Sequence, residues 1–217
     1  MLFIQHLAEN PFFYFAWVLI VVFSICVHEF AHAYVAYRLG DDTAAQEGHL
    51  SLNPMIQMGP TSLIFLALVG MAWGSVPVNI NRFREPWAGA VVAFAGPASN
   101  LILSFLFTLV GAITFLAIGD GLSEDVAVFF IVGATANGML FVLNMLPAPM
   151  FDGWSVFSYF YPRMSRIDPV LAQNVSLGAL LLIFFTPLRH IIWGGGSAIA
   201  GLFNTVVYGV LSVFGLA

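Results

Sequence analysis

The chain reads as an all-α polytopic integral membrane protein, and three observations lead there. Of its 217 residues 60% are hydrophobic and only 8% charged, too little polar surface to wrap a soluble globule of this size. The apolar residues gather in six runs, at 12–37, 61–78, 87–118, 125–146, 169–188 and 197–214, near the length of about 20 residues that crosses about 30 Å of hydrocarbon as a helix. The polar and Gly/Pro-rich stretches between the runs are too short for a soluble domain. The chain is therefore expected to be a single transmembrane domain over 1–217, with a core at 12–162 and accessory helices at 169–217.

The first run has no Lys or Arg before it and continues past Cys26 into His28, Glu29 and His32 without a small-residue cleavage pattern, so it reads as a retained helix rather than a removable signal. The second run is short and is interrupted by Gly59, Pro60, Gly70, Gly74 and Pro77. Such broken backbone survives at membrane depth only where protein or water satisfies it. Arginine placement agrees: Arg38, Arg82, Arg84, Arg163 and Arg166 share the cytoplasmic side only if the second run dips in and returns. The expectation is an outside amino terminus, about five spanning helices, one re-entrant segment and a cytoplasmic carboxyl terminus, with Arg189 alone on the outer side. The glycine triplet Gly194, Gly195 and Gly196 reads as a flexible turn before the last run. Six basic against eleven acidic residues give a net charge of -5 and no basic cluster, which excludes nucleic acid as a partner. One cysteine excludes an internal disulfide, and its place two positions before His28 turns it away from that residue on a helix, as a small buried thiol.

The chemistry sits in the first run, in His28-Glu29-Phe30-Ala31-His32. On a helix the two histidines lie about 40° apart and one turn above each other, so both imidazoles reach one metal, with Glu29 beside them to handle a water. With five His and as many Glu, chance gives on the order of 0.003 such patterns in the chain. A catalytic zinc site takes three protein ligands and keeps one position open. His49, His190 and the acidic residues are candidates for the third, and Asp152 stands out by its setting, just past Pro147 and Pro149 and next to Gly153, where the backbone unwinds at the end of the fourth run. In the re-entrant topology Asp152 falls at the depth of His32. Asn144 carries an amide that could donate to an oxyanion or clamp a substrate backbone, or else pack helices together. Asn100, near the start of the third run on the cytoplasmic side, could approach the site or else pack helices together.

Together, His28-Glu29-x-x-His32, Gly96-Pro97-x-x-Asn100 and Asn144-x-x-Pro147-x-Pro149-x-x-Asp152-Gly153 resemble the site-2 protease family of intramembrane zinc metallopeptidases. Leu52-Asn53-Pro54 and Pro77-Val78-Asn79 are similar to its compact bacterial and archaeal branch. The resemblance implies Zn2+ held by His28, His32 and Asp152, Glu29 as the base, and Asn144 assisting substrate or oxyanion. It also implies a prokaryotic inner-membrane location with the site toward the cytoplasmic side, transmembrane protein substrates within the lipid bilayer, and short β-strands near 46–53 and 76–80 where an unwound substrate is held as an added strand. Gln57 departs from the pattern, standing where that branch often has a histidine. The expected function is zinc-dependent intramembrane endoproteolysis; the alternatives are a pseudoprotease that binds transmembrane segments without cutting them and a metal-binding transporter.

Overall fold

The computed structural model describes residues 2–215, so the ends of the expected 1–217 domain lie outside the described residues. Seven helices carry the argument. Helix α1 (Pro11–Arg38) starts where the Asn10 side chain accepts from the Phe13 amide, with Pro11 in the first turn. Helix α2 (Gly59–Val69) is 11 residues long and stops at Gly70, whose φ of 82° is left-handed backbone that suits glycine. Helices α3 (Ala88–Ile118) and α4 (Glu124–Asn144) follow, the second capped by Ser123 accepting from the Val126 amide. Helix α5 (Asp152–Phe160) is short; α6 (Pro169–Phe185) opens with Asp168 accepting from two backbone amides, and α7 (Arg189–Val213) is the last helix.

Four of these, α1, α3, α4 and α7, are long and apolar enough to cross a membrane, and α2 and α6 are shorter apolar helices. The outward faces are apolar, as at Leu19, Ile102, Ile131 and Leu202, each about three-fifths exposed, which in water would be an aggregating surface and in lipid is a matched one. The protein is an integral membrane protein. Helix α3 is the centre of the assembly and packs on α1, α4, α5 and α7.

The second apolar run leaves its starting level and comes back to it. Helix α2 runs toward the start of α1, where the Tyr14 hydroxyl donates to the Ala67 carbonyl at 3.0 Å and the Trp17 indole to the Gly70 carbonyl at 2.9 Å. The chain then turns at Trp73, whose amide and carbonyl both bond the Ser62 hydroxyl, and the Ser75 amide donates to the Gln57 carbonyl at 3.1 Å. Side chains thus satisfy the carbonyls that the ended helix frees.

Two expectations are corrected. No strand forms among the described residues. Residues 43–46 are helical, and the side-chain amide of Gln57 donates to the carbonyls of His49 and Ser51, at 2.8 and 2.6 Å, consuming groups that a strand at 46–53 would offer to a ladder. Residues 74–79 are held at Ser75 by the Gln57 carbonyl and at Asn79 by Asp41, and 80–82 is a 3-10 turn. The glycine triplet is not a turn either but lies inside α7. A Cβ at Gly196 would meet the Thr135 carbonyl and the Met139 amide of α4, and one at Gly138 would meet Gly196 itself, so the glycines let two helix backbones approach closely.

Candidate metal centre

Three elements meet at one point. His28 and His32 sit one turn apart on α1, both buried, with rings 4.6 Å apart. Asp152 enters from the start of α5, at the end of the turn that Pro147 and Pro149 impose after α4. A Cβ at Gly153 would meet the backbone of Met145 and Leu146, so glycine here lets α5 close onto that turn and carries the aspartate inward. The Nε2 of His28 lies 3.0 Å from the Nε2 of His32 and 3.0 Å from an Asp152 oxygen, which is 3.3 Å from the Nε2 of His32. Two imidazole nitrogens and a carboxylate oxygen facing one another are a donor set for zinc, and among the described residues these three form the group of His, Cys, Asp and Glu that could hold a metal.

The far sides of both rings are tied down. His32 Nδ1 donates to the Val92 carbonyl of α3 at 2.7 Å, and His28 Nδ1 lies 2.6 Å from the Asn100 Oδ1. Bonds at Nδ1 leave the Nε2 lone pairs for a metal and fix the ring planes. Space for an ion comes from Gly96, on α3 directly opposite: a Cβ there would lie against the Nε2 of His28 and that of His32. The donor set and the hollow that a Cβ would fill both fit a metal ion.

Glu29, next to His28 and buried, has its carboxylate where a Cβ at Gly74 would lie. Both open to a cleft of about 980 Å³ that His28, His32, Asp152 and Asn144 also line. The structure therefore brings together all five residues singled out in the sequence. Gly74, Ser75, Val76 and Val78, which return from α2, line the cleft as well, as do Arg84 and Trp154.

Residues outside that set also shape the site. Asn100 is fully buried, with its oxygen 2.6 Å from the His28 Nδ1 and its amide donating to Asn137 on α4, so it both meets the site and joins helices. Gly96 carried no weight in the residue reasoning, because the need for empty space leaves no chemical signature. His49 and Gln57 are buried together, with the His49 Nδ1 at 2.9 Å from the Gln57 oxygen; the departure at 57 thus acts as a clamp on the 49–57 turn. Cys26 is buried in the apolar core cluster that runs along α1 from Trp17, as expected, and His190 is exposed.

The loop that leads into the cleft wall is anchored by Asp41. Its carboxylate is fully buried and accepts from the Thr43 amide at 3.1 Å, the Thr43 hydroxyl at 2.5 Å and the Asn79 amide at 2.6 Å, while neighbouring Asp42 pairs with Arg82. Burial alone raises the carboxyl's pKa, but these hydrogen bonds, with Arg82 nearby, outweigh it and hold it below the usual carboxylate range.

Fold and site together define a polytopic membrane protein with a two-histidine, one-carboxylate metal centre and a glutamate beside it. Comparison with known proteins gives that class a family. The chain is 36% identical over 203 residues to YwhC of Bacillus subtilis, named as a zinc metalloprotease, covering 87% of this chain and 91% of YwhC. It is 30% identical over 203 residues to Rip2 of Mycobacterium tuberculosis, also named as a zinc metalloprotease, covering 89% and 72%. Rip2 of Mycolicibacterium smegmatis is 31% identical over 172 residues. No protein-family model matches the chain, and no solved structure matches it. The chain belongs to this family of zinc metalloproteases. Its metal is Zn2+, and His28, His32 and Asp152 stand where they can hold it.

Proposed function

We propose that the chain is an intramembrane endopeptidase of the site-2 protease type, cutting peptide bonds in or near the transmembrane helices of other membrane proteins. The observation that carries this reading is the depth of the site. His28 lies ten residues before the end of α1 at Arg38, about 15 Å into an apolar helix at 1.5 Å per residue, yet opens to a cleft large enough for a peptide. A protease built for soluble substrates has no reason to accept the insertion cost of two histidines and a glutamate there, on the order of a few kcal/mol each.

In this reading His28, His32 and Asp152 hold the metal. Zinc, when bound, polarises a carbonyl and acidifies a water. Glu29 accepts the proton of the attacking water and returns it to the departing amine. Asn144, on the cleft wall, donates its amide to the developing oxyanion or to the substrate backbone. Gly74, Ser75, Val76 and Val78, which line the same cleft, face the substrate. The topology is five crossings with α2 re-entrant and the site toward the cytoplasmic side of a bacterial inner membrane; a cysteine at position 83 that reacts only from the other face would overturn it. Helices α6 and α7 gate lateral access, so crosslinking them blocks cleavage and spares zinc binding.

The deciding experiment co-expresses a membrane-anchored reporter with the wild type or Glu29→Gln. The expected result is a loss of cleavage by a factor of about 10²–10⁴ with zinc retained and uncut reporter captured by the variant. Equal capture without cleavage by both forms would identify a pseudoprotease, and metal flux that survives Glu29→Gln would identify a transporter.

A further inference from the structure

We propose that Asn137 is a positioning residue for the metal centre, acting through Asn100 to hold His28 in the tautomer that leaves its Nε2 free for the metal. The inference rests on the zinc reading of the site. It starts from a group whose hydrogen-bonding sense cannot change: the backbone carbonyl of Gly133 on α4 only accepts. The Asn137 Nδ2 donates to it at 2.9 Å. That leaves the Asn137 oxygen for its other neighbour, and the Asn100 Nδ2 donates to it at 3.1 Å. The Asn100 oxygen must then face His28, at 2.6 Å, so the His28 Nδ1 is the donor and carries the hydrogen.

Every link has one direction because each amide has one donating and one accepting end. Turning any of them over would set two donors or two acceptors against each other, in a place where both asparagines are fully buried and such a mismatch goes uncompensated. The second hydrogen of the Asn100 amide points at the Ser24 carbonyl on α1, at 3.5 Å. Three helices are thus linked by one chain of polar groups, and its outcome is the protonation pattern of one ligand. His32 needs no such relay, since it meets a fixed carbonyl, that of Val92, directly. Asn137 hydrogen-bonds to none of the three metal ligands and carries no reacting group; its influence passes through Asn100.

The test uses the full chain in detergent, with zinc affinity measured by chelator competition and the absorption bands of the cobalt-loaded protein as a report on ligand geometry. Asn137→Leu keeps the volume and removes both directing ends; Asn137→Ala serves if the larger side chain impairs folding. Ser104→Ala is the control, because the Ser104 hydroxyl makes a buried hydrogen bond between the same two helices, to the Ala134 carbonyl at 2.8 Å, without joining the relay. The expected result is a 10- to 100-fold loss of zinc affinity and altered cobalt bands in the Asn137 variants, with both unchanged in Ser104→Ala. Wild-type affinity and spectrum in the Asn137 variants would overturn the proposal, as would equal losses in the control, which would trace the effect to helix packing. A wild type that itself holds no zinc would overturn the zinc reading and the relay with it, and that failure is told apart by the wild-type sample alone.

Discussion

Helices α1, α3 and α4 and the later pair α6 and α7 are all strongly apolar, yet they are packed in different ways. Half of the most apolar stretch of α1 is buried in the protein, against about a tenth of that of α7. The first group is joined by buried polar side chains, Asn100, Ser104 and Asn137, each with almost no exposed surface. In α6 the polar side chains Gln173 and Asn174 are exposed. The difference teaches that apolarity chooses the membrane but not the neighbour, because lipid tails are as apolar as leucine. Neighbours are chosen by buried hydrogen bonds and by glycines that admit close approach, and the metal centre is where both are densest.

The sharpest way to break the first region is Gly96→Ala. One added methyl lands against the Nε2 of His28 and that of His32, so zinc content and proteolysis are expected to vanish together, read by metal analysis and reporter cleavage. A larger side chain at the boundary between the regions, Gly196→Leu, forces α7 away from the α4 backbone at Thr135 and Met139. It is expected to destabilise by about 1–3 kcal/mol, the usual cost of overpacking, seen as a lowered thermal midpoint with zinc still bound.

Asp41 sharpens the comparison through pH. Its carboxyl is held below the usual range in the folded chain, so the stability it contributes is full above the unfolded pKa of about 3.9 and is lost as pH falls through the folded value. Asp41→Asn is expected to cost about 1–3 kcal/mol at neutral pH and to flatten the acid limb of an unfolding titration below about pH 4. The smallest effect belongs to the second region: Leu177→Ala, on an exposed face of α6, is expected to change stability by less than about 0.5 kcal/mol and to leave zinc content unchanged.

Much of this was legible in the residues. The apolar runs anticipated the long helices, and the broken second run anticipated a segment that turns back beside α1. That His28, Glu29, His32, Asp152 and Asn144 line one cleft was legible because rare polar groups in apolar sequence announce themselves. The glycine triplet was misread because glycine punctuates loops in water but serves as a contact surface between membrane helices, and sequence alone does not say which neighbour is present. The strand near 46–53 failed for a related reason: Gln57 takes the carbonyls of His49 and Ser51 that a ladder needs, a competition visible only once residues eight apart are seen side by side, while the 76–80 segment is held at Asn79 by Asp41 and closes into a 3-10 turn. Asn137 was invisible because an amide in an apolar run has the same signature whether it joins two helices or directs a ligand.

The measurement that tests the central claim most directly is zinc per chain in detergent-purified wild type beside His28→Ala and Asp152→Ala. About one zinc in the wild type and almost none in either variant is the predicted result, since each removes one of three ligands. A full complement of zinc in Asp152→Ala would contradict it, by showing that the third ligand is not the aspartate that α5 carries to the two histidines.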